Sequence, residues 1–180
     1  MIRAFLALPV PEDITQRLGA AQSRLRLPRP VPRENFHLTL AFLGAVPEPV
    51  LEDLHLVLEG LRLFPALLRL DGLGVFGGNE PESIHARIAG DARLLADQKK
   101  VAQAARALDI EIPARKFVPH VTLGRFRRGE AQPDSLAAAI EGVGALTSDL
   151  WLAEEMVLYR STLRDDGPIY DALARYPLPR

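Results

Sequence analysis

The sequence predicts an α+β fold in which two similar lobes, each with an antiparallel sheet and flanking helices, face each other across a central cleft. The predicted order β-α-β-α-β-β-α-β-α-β-β-β lacks the regular alternation of a parallel doubly wound sheet. His37 and His120 each begin a His-x-Thr-x segment inside a predicted strand that follows one helix and precedes another. We interpret these segments as two half-sites of a pseudo-two-fold, duplicated unit. Residues 1–180 are expected to form a single bilobal domain.

Apolar spacing and chain-breaking residues predict the individual elements. The first helix follows Pro11, the third is capped by Asp91, and the fourth begins near Pro133 and ends at Gly142. The second helix covers 48–61. The predicted strands cover 3–8, 36–43, 66–76, 83–89, 117–124, 146–152, 155–161 and 169–175. We expect three aromatic residues to pack the second lobe: Trp151, Tyr159 and Tyr170.

Composition excludes several classes of protein. The chain contains no cysteine, which excludes disulfides, thiolate metal sites and cysteine nucleophiles. Its net charge of −1 gives no general attraction to nucleic acid or membranes, so an anionic ligand needs a local cluster of positive charge. No stretch approaches the roughly 20 apolar residues of a membrane span, and the first residues do not resemble a signal peptide. We expect a cytoplasmic monomer that does not bind membranes.

The two motifs supply two imidazoles and two hydroxyls. In an extended chain alternate side chains share a face, so His37 lies beside Thr39 and His120 beside Thr122. Imidazole titrates near neutral pH, and one ring can act as general base while the other, protonated, acts as general acid. Threonine hydroxyls donate hydrogen bonds to an anionic oxygen without adding charge. This set fits the hydrolysis of a phosphodiester without a metal ion.

Other uses of these residues are weaker. Neither histidine has a third metal ligand at a recognisable spacing, and no serine lies in a nucleophile-elbow frame. A histidine that only satisfies hydrogen bonds in a strand would explain one motif, but explains a pair of them less well. We expect His55 to be partly exposed and inert. His85 has two interpretations, a residue that fills a strand or one that contacts the ligand.

A basic cluster, Arg115-Lys116 and Arg125 to Arg128, surrounds the second motif. Strand alternation places Arg125 on the face opposite His120, unless a bulge or bend at Gly124 turns it towards the phosphate. A structural salt bridge would explain Arg125 almost equally well. Arg127 and Arg128 are expected to be exposed.

The chain resembles the 2H phosphoesterase superfamily, and within it the RNA 2′,3′-cyclic phosphodiesterases, historically called 2′-5′ RNA ligases. The resemblance covers nearly the whole chain, and the segments that carry it are 3–8, 35–44, 117–125, 158–163 and 167–170.

The resemblance implies a bilobal fold that hydrolyses a terminal RNA 2′,3′-cyclic phosphate to a 2′-phosphate, with reversible 2′-5′ ligation as a second reaction. Carried over, His37 is the general acid and His120 the general base. Thr39, Thr122 and Arg125 bind the phosphate, and Phe5 contacts the terminal nucleoside, although a phenylalanine here is more often part of the core.

Three residues depart from the family pattern. Phe36 stands where a leucine commonly precedes the first histidine, and Gly124 stands where a larger apolar residue precedes the arginine. His85 stands where the family often has tryptophan. We expect no metal and no nucleotide cofactor, since no Walker-type glycine loop is present. Two alternatives stay open, a non-catalytic module that binds RNA ends or nucleotides, and a phosphodiesterase for small cyclic nucleotides.

Overall fold

The structure is a computed structural model that describes residues 1–114, 116–164 and 167–179. The strands are β1 (Ile2–Pro9), β2 (His37–Val46), β3 (Leu67–Phe76), β4 (Ser83–Gly90), β5 (His120–Arg125), β6 (Trp151–Leu152), β7 (Glu155–Arg164) and β8 (Gly167–Pro177). The α-helices are α1 (Glu12–Leu25), α2 (Glu48–Glu59), α3 (Ala92–Arg106) and α4 (Pro133–Val143), and a short 3-10 helix covers Arg33–Asn35. None of the helices in the described part of the chain is both long and apolar enough to cross a membrane.

Two four-stranded antiparallel sheets form the two lobes, as the α+β prediction requires. One has the order β2-β1-β7-β8 and the other the order β5-β4-β3-β6. Strands β2 and β5, which carry the two motifs, are therefore edge strands. They approach each other with Cα–Cα distances of 8 Å or less. The cleft between the lobes is bordered by the two strands that carry the histidines.

The lobes are not the two halves of the chain. Strands β7 and β8 return to the first sheet, where β7 pairs with β1 from Ala4↔Arg160 to Ala7↔Val157. The expectation that Tyr159 and Tyr170 pack the second lobe is therefore wrong, because both lie in the sheet that carries His37. Trp151 does lie in the second sheet, in β6 beside Leu68.

Three predicted boundaries differ for identifiable reasons. β5 begins at His120 because Pro119 has no N–H to donate to a ladder, although its carbonyl accepts from Ile88. Helix α4 runs past Gly142 and ends at Val143, and it is followed by Gly144, whose φ of +78° favours glycine. Only Trp151–Leu152 of the predicted 146–152 strand is a strand, because the register with β3 shifts by one residue between the pair of Leu68 with Trp151 and the isolated bridge of Asp71 with Thr147.

The helices secure the motif strands from behind. Asp91 caps α3 as expected, accepting hydrogen bonds from the backbone N–H groups of Arg93 and Leu94. Helix α3 packs against β2, and α1 packs against β5 and α4. Each motif strand buries alternate apolar side chains, among them Leu38 in β2 and Val121 in β5, which are 1% and 0% exposed. Burial of these side chains keeps the opposite face of each strand directed at the cleft.

Candidate active site

The two motif histidines make the same backbone contact. Nδ1 of His37 lies 2.7 Å from the carbonyl oxygen of Asn35, and Nδ1 of His120 lies 2.7 Å from that of Val118. A carbonyl oxygen can only accept, so Nδ1 carries the hydrogen in both rings. In the neutral imidazole the lone pair is then on Nε2, the nitrogen that takes up and releases the proton. The two strands thus prepare both rings in the same tautomer.

One cavity brings the motif residues together. It has a volume of about 530 Å³ and is bordered by the strand faces, the segment 28–32 and the start of β8. All five residues predicted as catalytic or phosphate-binding line it: His37, Thr39, His120, Thr122 and Arg125. A second cavity of about 360 Å³ lies next to it and shares Thr39, Phe42, His120, Thr122 and Arg125. The motif residues therefore sit where two cavities meet.

A β-bulge in each motif strand shapes the site. In β5, Thr122 pairs with His85 and Gly124 pairs with Ile84, the neighbouring residue of β4, so Leu123 is the extra residue. In β2, Thr39 pairs with Ala7 and Ala41 pairs with Leu6, the neighbouring residue of β1, so Leu40 is the extra residue. Because a bulge reverses the alternation beyond it, the fifth residue after each histidine returns to the cleft face.

The two motif strands also have the same burial profile. From His37 to Phe42, and again from His120 to Arg125, it runs partly buried, buried, partly buried, buried, buried, exposed. The bulge on which the Arg125 prediction depended is present, and Arg125 lines both cavities.

In each bulge, the carbonyl of the extra residue accepts a hydrogen bond from a glutamine side chain on a helix. Nε2 of Gln22, on α1, donates to the carbonyl of Leu123 at 2.8 Å and to that of Val31 at 2.7 Å. Nε2 of Gln98, on α3, donates to the carbonyl of Leu40 at 3.2 Å. The extra residue of a bulge leaves backbone groups outside the ladder, and the two amides satisfy one such carbonyl in each strand. The pseudo-two-fold relation therefore extends to residues that support the motifs.

The proline-rich segment 28–32 covers the free edge of β5. The carbonyl of Arg29 accepts from the backbone N–H of Arg125 at 3.1 Å, and the N–H of Val31 donates to the carbonyl of Leu123 at 2.8 Å. Nearby, a Cβ on Gly124 would lie 2.5 Å from Cδ1 of Leu27. Glycine at 124 therefore permits the close approach that places Arg125.

The ring of His37 is enclosed by aromatic side chains. Phe5 stacks on it with centroids 4.8 Å apart, and the Tyr170 ring meets it edge-on at 5.4 Å. Burial, together with the charges of His120 and Arg125, lowers the pKa of His37 to about 4, although the bond to Asn35 acts in the opposite direction. The imidazole is therefore neutral at pH 7.

The predicted nucleoside contact of Phe5 does not fit its position. Phe5 is 3% exposed, and its ring stacks on His37 and also on Tyr159, at 5.1 Å. Protein side chains occupy the surfaces that a nucleobase would need. Phe5 supports the histidine from behind, as a core residue.

His85 lines neither cavity, which favours the first interpretation, but its ring lies 5.1 Å from that of His120. It is 3% exposed, stacks on Phe76 at 4.1 Å, and its Nδ1 has no hydrogen-bond partner. His55 is remote, on α2, where its Nδ1 lies 3.0 Å from the hydroxyl of Tyr176. Of the four histidines, three therefore contribute to the site or its wall.

The basic residues divide into two groups. Arg127 and Arg164 line the larger cavity, beside Arg125, and Lys116 lines the smaller one. Arg128 instead bonds Glu80 on the surface. Arg115, part of the predicted cluster, lies outside the described residues. Within the described ranges, no group of three histidine or acidic side chains is arranged to hold a metal ion.

Sequence analysis did not single out Phe42, Gln22 or Gln98. The signal for Phe42 was available, since it stands five residues after His37 as Arg125 stands five after His120. The glutamines had no local signal, because each contacts a strand distant in sequence.

Known proteins resemble this chain over nearly its whole length. A family model described as the 2′-5′ RNA ligase superfamily matches residues 10–165. An RNA 2′,3′-cyclic phosphodiesterase of Geobacillus stearothermophilus is 32% identical over 97% of this chain, which spans 56% of that relative's length. One from Methanocaldococcus jannaschii is 29% identical over 97% of this chain and 100% of its own. A crystal structure of a Thermus thermophilus protein is 30% identical with a TM-score of 0.80, covering 98% of each chain.

Proposed function

Because this chain belongs to the 2′-5′ RNA ligase superfamily, we propose that it hydrolyses the 2′,3′-cyclic phosphate at an RNA end to a 2′-phosphate. The observation that carries the proposal is the pair of matched half-sites, each a histidine and a threonine, on one cavity. Two imidazoles with the same tautomer suit a reaction that needs one proton acceptor and one proton donor on either side of phosphorus.

The proposed reaction is an in-line displacement at phosphorus. Nε2 of His120 takes a proton from water, and the water oxygen forms the new bond to phosphorus. The bond from phosphorus to O3′ breaks, and His37 gives its Nε2 proton to that oxygen. The phosphate remains on O2′. The hydroxyls of Thr39 and Thr122 and the guanidinium of Arg125 donate hydrogen bonds to the non-bridging oxygens as charge builds there.

His37 needs a proton to act as general acid, and we infer that it takes up this proton from solvent when the substrate binds. Burial lowers the pKa of His37 to about 4, so the ring is neutral at pH 7 before the substrate contributes its charge. A phosphodiester carries a negative charge, and an opposite charge within about 4–6 Å favours the protonated imidazole. Binding of the substrate therefore raises the pKa of His37 and loads the general acid only when there is a leaving group to protonate.

RNA is favoured over a small cyclic nucleotide by the positive charge beyond the motif residues. Arg127 and Arg164 line the cavity outside the four motif side chains. A mononucleotide has no second phosphate for these groups, whereas an RNA chain carries one at every nucleotide. We expect kcat/KM to be higher for a short oligonucleotide than for a mononucleotide, and more sensitive to salt.

The experiment uses an RNA oligonucleotide that ends in a 2′,3′-cyclic phosphate, in the presence of a chelator. We expect conversion to the 2′-phosphate, with the position assigned by ³¹P NMR, and large losses in His37→Ala and His120→Ala. His55→Ala is the matched control, because His55 lies on α2 outside both cavities. Tight binding of the RNA end without turnover would instead identify a binding module.

A further inference from the structure

The side chain of Gln22 joins two segments that border the larger cavity. Gln22 is 9% exposed, and its Nε2 donates to the carbonyl of Val31 at 2.7 Å and to that of Leu123 at 2.8 Å. Val31 belongs to the proline-rich segment 28–32, and Leu123 is the extra residue of the β5 bulge. We propose that Gln22 is a positioning residue for Arg125, because it fixes the backbone from which the guanidinium reaches the phosphate. The phosphate itself comes from the proposed function, on which this inference rests.

The backbone of Arg125 depends on the proline-rich segment. Strand β5 is at the edge of its sheet, so β4 pairs with it on one side only. On the other side the N–H of Arg125 donates to the carbonyl of Arg29 at 3.1 Å, and Pro30 forms an isolated bridge with Gly124. A movement of the segment 28–32 would therefore carry the start of the Arg125 side chain with it.

The segment has few backbone donors with which to hold itself against β5. Three of its five residues are proline, which has no N–H group. The N–H of Val31 donates to the carbonyl of Leu123 at 2.8 Å, and the amide of Gln22 donates to the carbonyls of both residues. Without Gln22, the carbonyl of Val31 would lose a donor in a partly buried position, and this loss favours movement of the segment towards water. Gln22 therefore supplies hydrogen bonds that a proline-rich backbone cannot.

Helix α1 holds the amide of Gln22 in a fixed place. Leu18 and Leu25, on the same face of the helix, are 0% and 6% exposed. Arg24 joins the helix to the end of α4, where it donates to the carbonyl of Val143 at 2.9 Å. Groups on packed helices hold their positions more precisely than groups on loops. The proline-rich segment and the bulge are therefore both attached to a rigid element.

Gln22 differs from its counterpart in the first half-site. Gln98 donates over a longer distance, 3.2 Å, to the carbonyl of Leu40, and it borders the smaller cavity, where a ligand can touch it. Gln22 borders neither cavity. A substitution of Gln22 therefore affects the substrate only through the backbone that this residue holds.

The first test is a double-mutant cycle with Arg125. Gln22→Met removes both donors and keeps a side chain of similar length. We expect it to lower kcat/KM for RNA cyclic phosphate by about 10-fold, since misplacing a group at a reacting centre costs up to about 10²-fold. In the Arg125→Ala background the same substitution should cause no further loss, because the group that it positions is gone. Gln16→Met is the matched control, on the exposed face of the same helix, and should leave kcat/KM unchanged.

The second test is amide hydrogen exchange followed by NMR. In Gln22→Met the N–H groups of Val31 and Arg125 should exchange at least about 5-fold faster relative to those of β7, a central strand of the other sheet. A general loss of stability would accelerate exchange in both sheets equally. Equal acceleration, no change in kcat/KM, or a loss in kcat/KM that adds to that of Arg125→Ala would overturn the inference.

Binding of inorganic phosphate, measured by calorimetry, separates this inference from the proposed function. The same cycle is repeated on the dissociation constant of phosphate, where the coupling between Gln22 and Arg125 should appear again. A wild type that binds phosphate through Arg125 but does not hydrolyse RNA cyclic phosphate would refute the proposed function and leave the inference standing. If Arg125→Ala binds phosphate no more weakly than the wild type, the inference fails, because there is then no phosphate contact for Gln22 to position.

Discussion

The imidazole of His85 lies against that of His120, with centroids 5.1 Å apart and ring planes at 64°. Burial, followed by the charges of His120 and Arg87, lowers the pKa of His85 to about 4. A neutral ring therefore stands beside the proposed general base at neutral pH. His85 lines neither cavity, and its ring contacts only those of Phe76 and His120 among the aromatic side chains of the described residues.

Lowered pKa values at His37 and His85 predict acid lability. Both fall from 6.5 to about 4 on folding, so the unfolded chain binds more protons than the folded one between these values. The free energy of unfolding then decreases as the pH is lowered from 6.5 towards 4, by up to about 1.4 kcal/mol per pH unit for each group. Urea unfolding at several pH values measures this slope.

A His85→Leu variant isolates one of the two contributions. Its slope between pH 6.5 and 4 should be shallower than that of the wild type, whatever its stability at pH 7. The slope is the readout because it counts protons, whereas absolute stability also reports packing. Equal slopes for wild type and variant would show that His85 is not held neutral by the fold.

A substrate with a good leaving group separates the two histidines. In 3′-deoxyadenosine 2′-(4-nitrophenyl phosphate), nitrophenolate replaces O3′ and leaves without needing a proton. We expect His37→Ala to lower the rate on RNA cyclic phosphate by about 10²–10⁴-fold but to change the rate on this ester little. His120→Ala should lose on both, because water still needs a base. Rates are followed by release of nitrophenolate; the reverse pattern would exchange the two roles.

Arg125 should contribute through its charge and its hydrogen bonds to phosphate. We expect Arg125→Ala to lower kcat/KM by about 10- to 150-fold, which corresponds to hydrogen bonds to a charged group. Arg125→Lys keeps the charge but not the fork of donors, so it should recover only part of the loss. Arg128→Ala is the control, because Arg128 is an exposed partner of Glu80. Similar kinetics for the Arg125 and Arg128 variants would remove Arg125 from the phosphate site.

Gly124→Ala tests whether the β5 bulge places Arg125. The new Cβ would lie 2.5 Å from Cδ1 of Leu27 and 3.2 Å from the carbonyl of Arg29, which accepts from the N–H of Arg125. Leu27 can rotate, but the backbone of the proline-rich segment would have to move. We expect a loss of about 1–3 kcal/mol in stability, with a fall in kcat/KM.

Gly142→Ala is the matched substitution. A Cβ at Gly142 meets no atom within 4 Å, and the residue lies in helix α4. Stability should rise by up to about 1 kcal/mol with unchanged activity. If Gly124→Ala behaves in the same way in urea unfolding and in kinetics, the close approach at β5 does not position the arginine.

How far the sequence predicts the site depends on the range of the interactions involved. The pairs His37 with Thr39 and His120 with Thr122 follow from alternation within one strand, which is a local property. Arg125 required a bulge, and a period of two residues places it on the wrong face. Gly124 signalled that irregularity in β5, whereas Leu40 in β2 carries no such signal.

Pairing between strands that are distant in sequence also could not be predicted from local patterns. The return of β7 to pair with β1 joins residues distant in sequence, such as Ala4 and Arg160, and local patterns do not specify such partners. Tyr159 and Tyr170 were therefore assigned to the wrong lobe. Phe5 was misplaced for a related reason: its enclosure depends on Tyr159 and Tyr170 from the far end of the chain.

The most direct test is a crystal structure with a nucleoside vanadate, in which a pentacoordinate vanadium mimics phosphorus during displacement. We expect Nε2 of His37 within hydrogen-bond distance of the apical O3′, and Nε2 of His120 within hydrogen-bond distance of the opposite apical oxygen. Thr39, Thr122 and Arg125 should donate to the equatorial oxygens. Vanadate bound with both imidazoles on one side, or with either ring turned away from it, would contradict the account.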